Sequence, residues 1–301
     1  MWAARLTVLA ASGRLVAERT WNGDLWRGVS SRMVLSSIAA CLGAFSFAVA
    51  ARAQTPPTAE QPRDTVPVHR LTLDAMKIQP AQFSYRLTIT RDTVITPIGD
   101  QSLTVSTSMY AGTPALLFAR VGMEGVAAVS DSLVVRRDDL RPLHWIASHG
   151  VARVAAEFTA DSIYGASSSP LGRLNIVLPN RPDLLVNTAA VDAVLTSLPL
   201  AAAWRDSAEM LLVDSGGAAL TPVSLAIEGE ERITVPAGDF DCWIVSLETE
   251  RASGRLWVTK QGQIVVRAEQ ILPELGGALL TRVLLQTDSP ALMPASARLP
   301  Q

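Results

Sequence analysis

The chain has 301 residues, of which 49% are hydrophobic and 18% are charged, so it can bury a substantial core and is too apolar for a disordered protein. Its formal net charge is −2, and its basic residues are scattered instead of forming a stripe that could neutralise phosphates. This pattern disfavours nucleic-acid binding.

The N-terminal region has the pattern of an export signal. An uncharged stretch runs from Met33 to Ala51, follows Arg27 and Arg32, and ends in an A-x-A site completed by Ala53. This pattern predicts a leader and signal peptide over residues 1–53, cleaved after Ala53. The mature protein is therefore expected in the periplasm or outside the cell, with no stable membrane span after cleavage.

Two other interpretations of the same stretch stay open. The apolar run is long enough to span a bilayer as an uncleaved anchor, and Ile38–Cys41 matches a lipoprotein-type cleavage box. Cleavage before Cys41 would leave the apolar residues 42–51 on the mature protein, which favours the secretory signal. The remaining cysteine, Cys242, then has no disulfide partner and is expected to be a small buried hydrophobe.

The mature chain divides into three parts. Residues 54–68 contain four prolines and little that could pack, which is typical of a flexible or polyproline linker. Residues 287–301 have no hydrophobic period, so we expect a disordered tail. Residues 69–286 are expected to form one β-rich domain.

Alternation of apolar and polar residues with period two dominates residues 69–286 and predicts half-buried strands. Five runs show it: Phe83, Tyr85, Leu87 and Ile89; Leu103, Val105 and Met109; Val154, Ala156 and Phe158; Val223, Leu225 and Ile227; Trp243, Val245 and Leu247. Turn signals separate the runs at Ile98–Asp100, Asp138–Asp139, Asp214–Gly217, Ala237–Gly238, Ser253–Gly254 and Gln261–Gly262.

One segment has a helical period instead. Asn187 and Thr188 can cap a helix that ends at Pro199, and its apolar face would comprise Val191, Val194, Leu195 and Leu198. The predicted fold is therefore mainly β: a curved antiparallel sheet, a half-barrel or open barrel, with one short helix.

One part of the chain resembles a known family. The stretch Ile233–Trp243, which contains a Val-Pro-Ala-Gly-Asp-Phe turn, is followed by Gly254–Val258 and Ile264–Arg267. Together they are similar to an exported bacterial family catalogued as domain of unknown function 3108. The resemblance implies a curved antiparallel sheet, similar to the half-barrel of periplasmic lipoprotein carriers, and it brings no catalytic residues. Physically, Pro236 fixes φ and Gly238 admits a positive φ, which suits a turn.

The strongest catalytic motif is Asp214-Ser215-Gly216-Gly217, which is similar to the Asp-Ser/Thr-Gly of aspartic proteases and to the surroundings of a serine-protease nucleophile. The first chemistry needs a second aspartate that shares a proton, and the chain has no second copy of the motif. The second needs a histidine base, and the three histidines of the chain, His69, His144 and His149, lie in no recognisable motif of this kind. A polar hairpin turn explains the run better, so we predict no catalytic residue.

Metal and cofactor chemistry is not predicted either. His144 and His149 are five residues apart in a strand-like run, which places them on opposite faces. Neither a cluster with metal-ligand spacing nor a Gly-rich phosphate loop is present in the sequence.

The aromatic residues of the strands support a binding function. Tyr85, Trp145, Trp243 and Trp257 are the candidate ligand-binding residues, because a curved sheet too large to fill with its own side chains leaves a groove for an apolar molecule. We therefore expect a non-enzymatic exported protein that binds an apolar ligand such as a lipid, or an envelope protein. The alternatives are a hydrolase that uses Asp214 and a purely structural envelope component.

Overall fold

The computed structural model describes residues 71–181, 184–187, 190–214, 217–250, 252–290 and 292. The predicted leader, cleavage site and linker lie outside these residues, as do most of the predicted tail and the proposed cap residue Thr188. Within the described residues, fifteen strands form one sheet.

The strands of the first half are β1 (Ala81–Arg91), β2 (Val94–Tyr110), β3 (Thr113–Glu124), β4 (Ala127–Arg136), β5 (Pro142–His149), β6 (Ala152–Phe158), β7 (Ser162–Ser169) and β8 (Gly172–Pro179). Those of the second half are β9 (Leu185–Val186), β10 (Arg205–Asp214), β11 (Gly217–Val235), β12 (Gly238–Glu248), β13 (Ser253–Thr259), β14 (Val265–Leu272) and β15 (Ala278–Thr287). The helix α1 (Ala190–Leu195) lies between β9 and β10, and two short 3-10 turns occupy Ala75–Lys77 and Pro273–Leu275.

The sheet consists of two meanders joined at one seam. Its order is β8-β7-β6-β5-β4-β3-β2-β1-β15-β14-β13-β12-β11-β10-β9, so β1 pairs with both β2 and β15. All pairs are antiparallel except the short β9–β10 pair. The sheet is open, with β8 and β9 at its edges, and it curls enough to bring β8 against β11. The predicted fold class is confirmed.

Most of the alternating residues form the core as predicted, but Ile89, Val154 and Trp243 are only partly buried. Phe83, Tyr85 and Leu87 of β1 are buried, whereas Met109 near the end of β2 is 62% exposed.

The predicted helix is confirmed as α1. Val191, Val194 and Leu195 are buried on one side of it, and Leu198 is buried in the turn that follows. These residues pack on an apolar face of β10–β14 that includes Leu225, and burial of each such side chain contributes about 1.5–3 kcal/mol. α1 therefore lies on the face of the sheet that its apolar residues cover.

Two predicted turns are wrong. Gly99 lies inside β2, at a register shift where Leu87 pairs with Gly99 and Thr88 pairs with Pro97. A Cβ at Gly99 would lie 2.0 Å from the Met123 carbonyl oxygen, so glycine is required by this close approach, and the chain reverses earlier, around Asp92.

Ser253 and Gly254 begin β13, so they do not form the turn before it. That turn lies at residues 249–252 and is closed by a hydrogen bond from the Thr249 amide to the Ala252 carbonyl oxygen. The turn at Ala237–Gly238 is confirmed: Val235 pairs with Gly238, whose φ is +136°.

Residues just beyond 286, the expected end of the domain, also contact the sheet. β15 ends at Thr287, and the Gln82 amide donates to Asp288 Oδ1 at 2.6 Å. Ser289 is buried. Within the described residues, we find no helix with the length and apolar character needed to cross a bilayer.

Candidate ligand-binding site

A group of buried polar residues interrupts the apolar face of the sheet next to α1. We call these residues the polar cluster; they are the buried Gln101, Arg120, Glu124, Asp131, Asp192 and Gln270, together with Arg282, whose side chain is 14% exposed. Charged residues are rarely this buried unless they are paired. The cluster is therefore the first place to look for a function.

Strand β3 shows how such residues reach the interior. Leu116 and Phe118 are fully buried, and Arg120, Gly122 and Glu124 continue the same face because side chains alternate along a strand. Glu124 is only 2% exposed. The strand therefore changes from apolar to polar without changing its buried face.

Gly122 makes room for the first contact in the cluster. It lies directly opposite Gln101 of β2, and a Cβ on Gly122 would lie 2.5 Å from the Asp100 carbonyl oxygen and 2.8 Å from Gln101 Cγ. With no side chain in the way, Gln101 Nε2 donates to Glu124 Oε1 at 2.5 Å. On the other side of Glu124, His149 Nε2 lies 3.7 Å from Oε2. Burial lowers the pKa of His149, the nearby Arg120 charge lowers it further, and Glu124 opposes the shift.

Arg120 and Asp131 form a buried ion pair. They are directly opposite each other on β3 and β4, and Arg120 Nη2 lies 3.5 Å from Asp131 Oδ2. The indole nitrogen of Trp145 donates to Asp131 Oδ1 at 3.0 Å, so the carboxylate has partners on both oxygens. Trp145, one of the predicted ligand-binding residues, thus belongs to the wall of the polar cluster.

Arg282 links the sheet to α1. It lies on β15 between Leu280 and Leu284, and its Nη2 donates to the Asp192 carboxylate of α1. Its guanidinium also lies over the ring of Tyr85, 4.9 Å from the ring centroid. Burial lowers the pKa of Arg282 from its usual value.

Tyr85, the second predicted binding residue at this site, is almost fully buried. Its hydroxyl donates to the Val265 carbonyl oxygen at 3.1 Å. Burial raises the pKa of this hydroxyl to about 12, and the charge of Arg282 opposes the rise. Tyr85 therefore acts as a neutral platform for Arg282.

A pocket of about 70 Å³ lies between α1, the polar cluster and the sheet. Its apolar wall consists of Leu87, Val191, Leu247, Leu256, Ala268 and Leu280. Its polar wall includes Gln101, Arg120, Glu124, Asp192, Gln270 and Arg282. The Nε atoms of Arg120 and Arg282 are both buried and have no hydrogen-bond partner, so two donors remain available there.

None of the four predicted binding residues lines this pocket, and the other two, Trp243 and Trp257, lie elsewhere on the sheet. Trp243 is opposite Val258 and Trp257 is opposite Ile244, so the two indoles lie on opposite faces of the sheet. Lys260 Nζ lies over Trp243 at 4.3 Å, and the indole nitrogen of Trp257 donates to Glu231 Oε2 at 2.7 Å. Tyr85 and Trp145 thus contact two members of the polar cluster, Arg282 and Asp131, and the structure does not bring the four aromatics into one groove.

The geometry at Asp214 is that of a turn. Asp214 pairs with Gly217 at the end of the β10–β11 hairpin, and its Oδ1 accepts a hydrogen bond from the Gly217 amide at 3.1 Å. Ser215 and Gly216 lie outside the described residues. In the part of the chain that the structure describes, no group of three or more His, Cys, Asp or Glu residues could hold a metal ion.

Cys242 is free and buried, and burial raises the pKa of its thiol to about 12. A thiol with so high a pKa is protonated at neutral pH, which suits packing better than nucleophilic chemistry.

The polar cluster was missed by the sequence analysis, although a signal was present. Arg282 stands between Leu280 and Leu284 at two-residue spacing, and Arg120 and Glu124 continue the buried positions that begin at Leu116. A charged residue in phase with an apolar strand face is the pattern that indicates a buried polar site.

Comparisons with solved structures gave distant matches. The hypothetical lipoprotein YmcC from Escherichia coli is 14% identical with a TM-score of 0.31, over 73% of this chain and 90% of that chain. A protein with a YmcC-like fold from Bacteroides fragilis is 14% identical with a TM-score of 0.30, over 69% and 95%. No curated protein matches the chain. A family model, DUF3108, described as a protein of unknown function, matches residues 84–280.

Proposed function

This chain belongs to DUF3108, a family of proteins of unknown function, and we propose that it is an exported, non-enzymatic protein whose pocket beside α1 binds an apolar ligand with a polar end. The observation that carries the proposal is the two-sided pocket, with an apolar wall that includes Leu247, Leu256 and Leu280 and a polar wall that includes Arg120 and Arg282. Ligand sites are typically apolar with a few placed polar groups.

The buried polar residues support a binding function because a core without a ligand gains little from them. Buried ion pairs often stabilise a protein no better than apolar residues of similar volume. Here two pairs, Arg120–Asp131 and Arg282–Asp192, come from four different elements, and three of their members, Arg120, Arg282 and Asp192, line one pocket. Such convergence is typical of recognition of a polar group.

The energetics permit useful affinity for a lipid-like molecule. Each buried methylene contributes about 0.8 kcal/mol, and a micromolar complex corresponds to roughly −8 kcal/mol. A fully buried chain of about twelve carbons would provide about 10 kcal/mol before the ordering and association terms are subtracted, but burying it requires more room than the pocket of about 70 Å³ offers while α1 is packed in place.

Export is proposed from the signal pattern that ends at Ala53. We expect mass spectrometry of the secreted protein to give an N-terminus at Gln54. A membrane-integrated chain that keeps its N-terminal segment, or a chain lipidated at Cys41, would contradict cleavage after Ala53.

Ligand binding is tested by titrating the purified protein with a fatty acid that carries a dansyl group. We expect saturable binding at micromolar concentration. Leu280→Trp fills the pocket and should weaken binding at least about tenfold, with a loss of stability of about 1–3 kcal/mol.

Leu174→Trp is the matched control, because Leu174 lies on the edge strand β8, is 40% exposed and does not line the pocket. This variant should bind as the wild type does. A folded wild-type protein that shows no saturable binding, or equal binding by both variants, would contradict the proposed site.

A further inference from the structure

We infer that Asp192 stands in for the anionic head group of the ligand, so the pocket selects single-chain amphiphiles with a carboxylate or phosphate end and releases α1 when one binds. This inference rests on the proposed function, because it names the ligand class of the same pocket. Its starting point is the pair formed by Arg282 of the sheet and Asp192 of the helix.

The first step concerns which carboxylates belong to the sheet. Glu124, Asp131 and Glu269 lie on β3, β4 and β14. Each has partners on the sheet: Gln101 for Glu124, Arg120 with Trp145 for Asp131, and Arg267 for Glu269. Asp192 is different, because it reaches the pocket from α1. It is therefore the pocket-lining carboxylate that can leave without unpairing a strand.

The second step concerns the donors that an anion would meet. Arg282 has only 14% of its side-chain surface exposed, and its Nε has no hydrogen-bond partner. Arg120, also a lining residue, has 9% of its side chain exposed and an unpartnered Nε as well. A guanidinium group presents a planar fork of donors that matches carboxylate and phosphate oxygens. An anionic head can thus replace Asp192 at Arg282 and use donors that are now free.

The third step concerns the room for the apolar chain. The pocket holds about 70 Å³, well below the roughly 300 Å³ at which ligand pockets usually begin. α1 has six residues, and isolated helices shorter than about 12–15 residues are marginal in water. Withdrawal of Val191 and Leu195 would expose the apolar face of β10–β14, which an alkyl chain could cover in their place. The head group of the ligand then takes the place of Asp192, and its alkyl chain takes the place of Val191 and Leu195.

The experiment compares dodecanoate, dodecyl phosphate and dodecanol by isothermal titration calorimetry. The wild type should bind the two anions more tightly than the alcohol. Asp192→Asn removes the internal competitor, so it should bind dodecanoate about tenfold more tightly than the wild type, which is an ordinary coupling between two sites. Its affinity for dodecanol should change less, because the alcohol does not use the anion site.

Two further variants complete the comparison. Arg282→Gln should reduce the affinity for dodecanoate to that for dodecanol. Glu209 of β10 pairs with Arg181 and does not line the pocket. Glu209→Gln should therefore leave all three affinities unchanged. If Arg282→Gln fails to fold, the Asp192→Asn comparison still decides the outcome.

A second readout follows α1 directly. Hydrogen exchange at the Val194 and Leu195 amides should become faster when dodecanoate is added to the wild type. If Asp192 only neutralises Arg282, Asp192→Asn will lower stability and bind dodecanoate no more tightly, which would overturn this inference.

The outcomes separate the two proposals. Equal binding of the anions and the alcohol would end the head-group inference and leave the apolar pocket in place. Binding of none of the three would end both. Preference for dodecyl phosphate over dodecanoate would assign the head group to the phosphate class.

Discussion

α1 covers an apolar region on β10–β14, and four residues of the polar cluster, Gln101, Arg120, Glu124 and Asp131, form a polar region on β2–β4. Both regions belong to the same face of one sheet. Cross-strand partners connect them: Leu256 is opposite Ala268, Ala268 is opposite Arg282, and Leu284 is opposite Tyr85, which is opposite Gln101. Yet the first region is filled with aliphatic side chains, and the second contains ion pairs and amides.

This difference shows that one region of a sheet can supply apolar burial for the fold while another supplies polar groups that can bind a ligand. Aliphatic burial on β10–β14 needs only the right volume and alternation, so many sequences could achieve it. Each buried polar group on β2–β4 needs a specific hydrogen-bond or ion-pair partner, because an unpaired buried charge is strongly destabilising. The two regions should therefore respond differently to mutation.

The largest effect is expected when one partner of a buried ion pair is removed from the polar region on β2–β4. Arg120→Met removes the cation that faces the buried Asp131 carboxylate, which should lower the free energy of unfolding by about 3–5 kcal/mol in urea denaturation. The double variant Arg120→Met/Asp131→Leu should be more stable than the single variant. In the apolar region, Leu225→Ala should lower the free energy of unfolding by about 2–5 kcal/mol, and no second substitution of a charged partner can restore it. A double variant no more stable than Arg120→Met would show that the pair is not coupled.

A smaller effect is expected where the two strands of the polar side approach most closely. Gly122→Ala places a Cβ against the Asp100 carbonyl oxygen and Gln101, so it should destabilise the protein by roughly 1–3 kcal/mol. Gly229 of β11 is the matched control, since nothing lies within 4 Å of the position a Cβ would take. Gly229→Ala should be neutral or stabilising by up to about 1 kcal/mol in the same thermal melts. Equal effects at the two glycines would contradict the close approach.

The smallest effect is a pH dependence confined to the polar side. The pKa of His149 is lowered in the folded protein, so below pH 6.5 the unfolded chain binds more protons at this residue than the folded protein does. Stability should therefore fall as the pH falls from 6.5 towards the lowered pKa, and this contribution should be constant above 6.5. His149→Gln should remove that part of the slope in unfolding curves measured between pH 8 and pH 5. An unchanged slope would show that His149 does not titrate in this way.

The sequence predicted the apolar region better than the polar one for a physical reason. Alternation is local, so Phe83, Tyr85 and Leu87 indicate their buried face without knowledge of any partner. The helical face of Val191, Val194 and Leu195 is local in the same sense and was also correct. Arg282 is not local, because its partner Asp192 is 90 positions away and only the sheet register and α1 bring them together.

The wrong turn at Gly99 has a similar origin. Gly99 and Asp100 carry ordinary turn chemistry, but the conformational freedom of glycine serves a bulge here. The reason for the glycine is the carbonyl group of Met123 on the next strand, which local sequence does not reveal. A prediction from neighbouring residues in the sequence therefore misses positions where a glycine is required by close approach to another strand.

The seam between β1 and β15 has a consequence for the order in which the protein folds. Most strands pair with a strand adjacent in sequence, so their hairpins close short loops. At the seam, the hydrogen bond from Gln82 to Asp288 spans 206 positions. Loop closure of that length carries a large entropy loss that precedes any gain from pairing. We expect the two meanders to form first and the seam to close last, so a circular permutant that joins the two ends of the domain should fold faster than the natural chain.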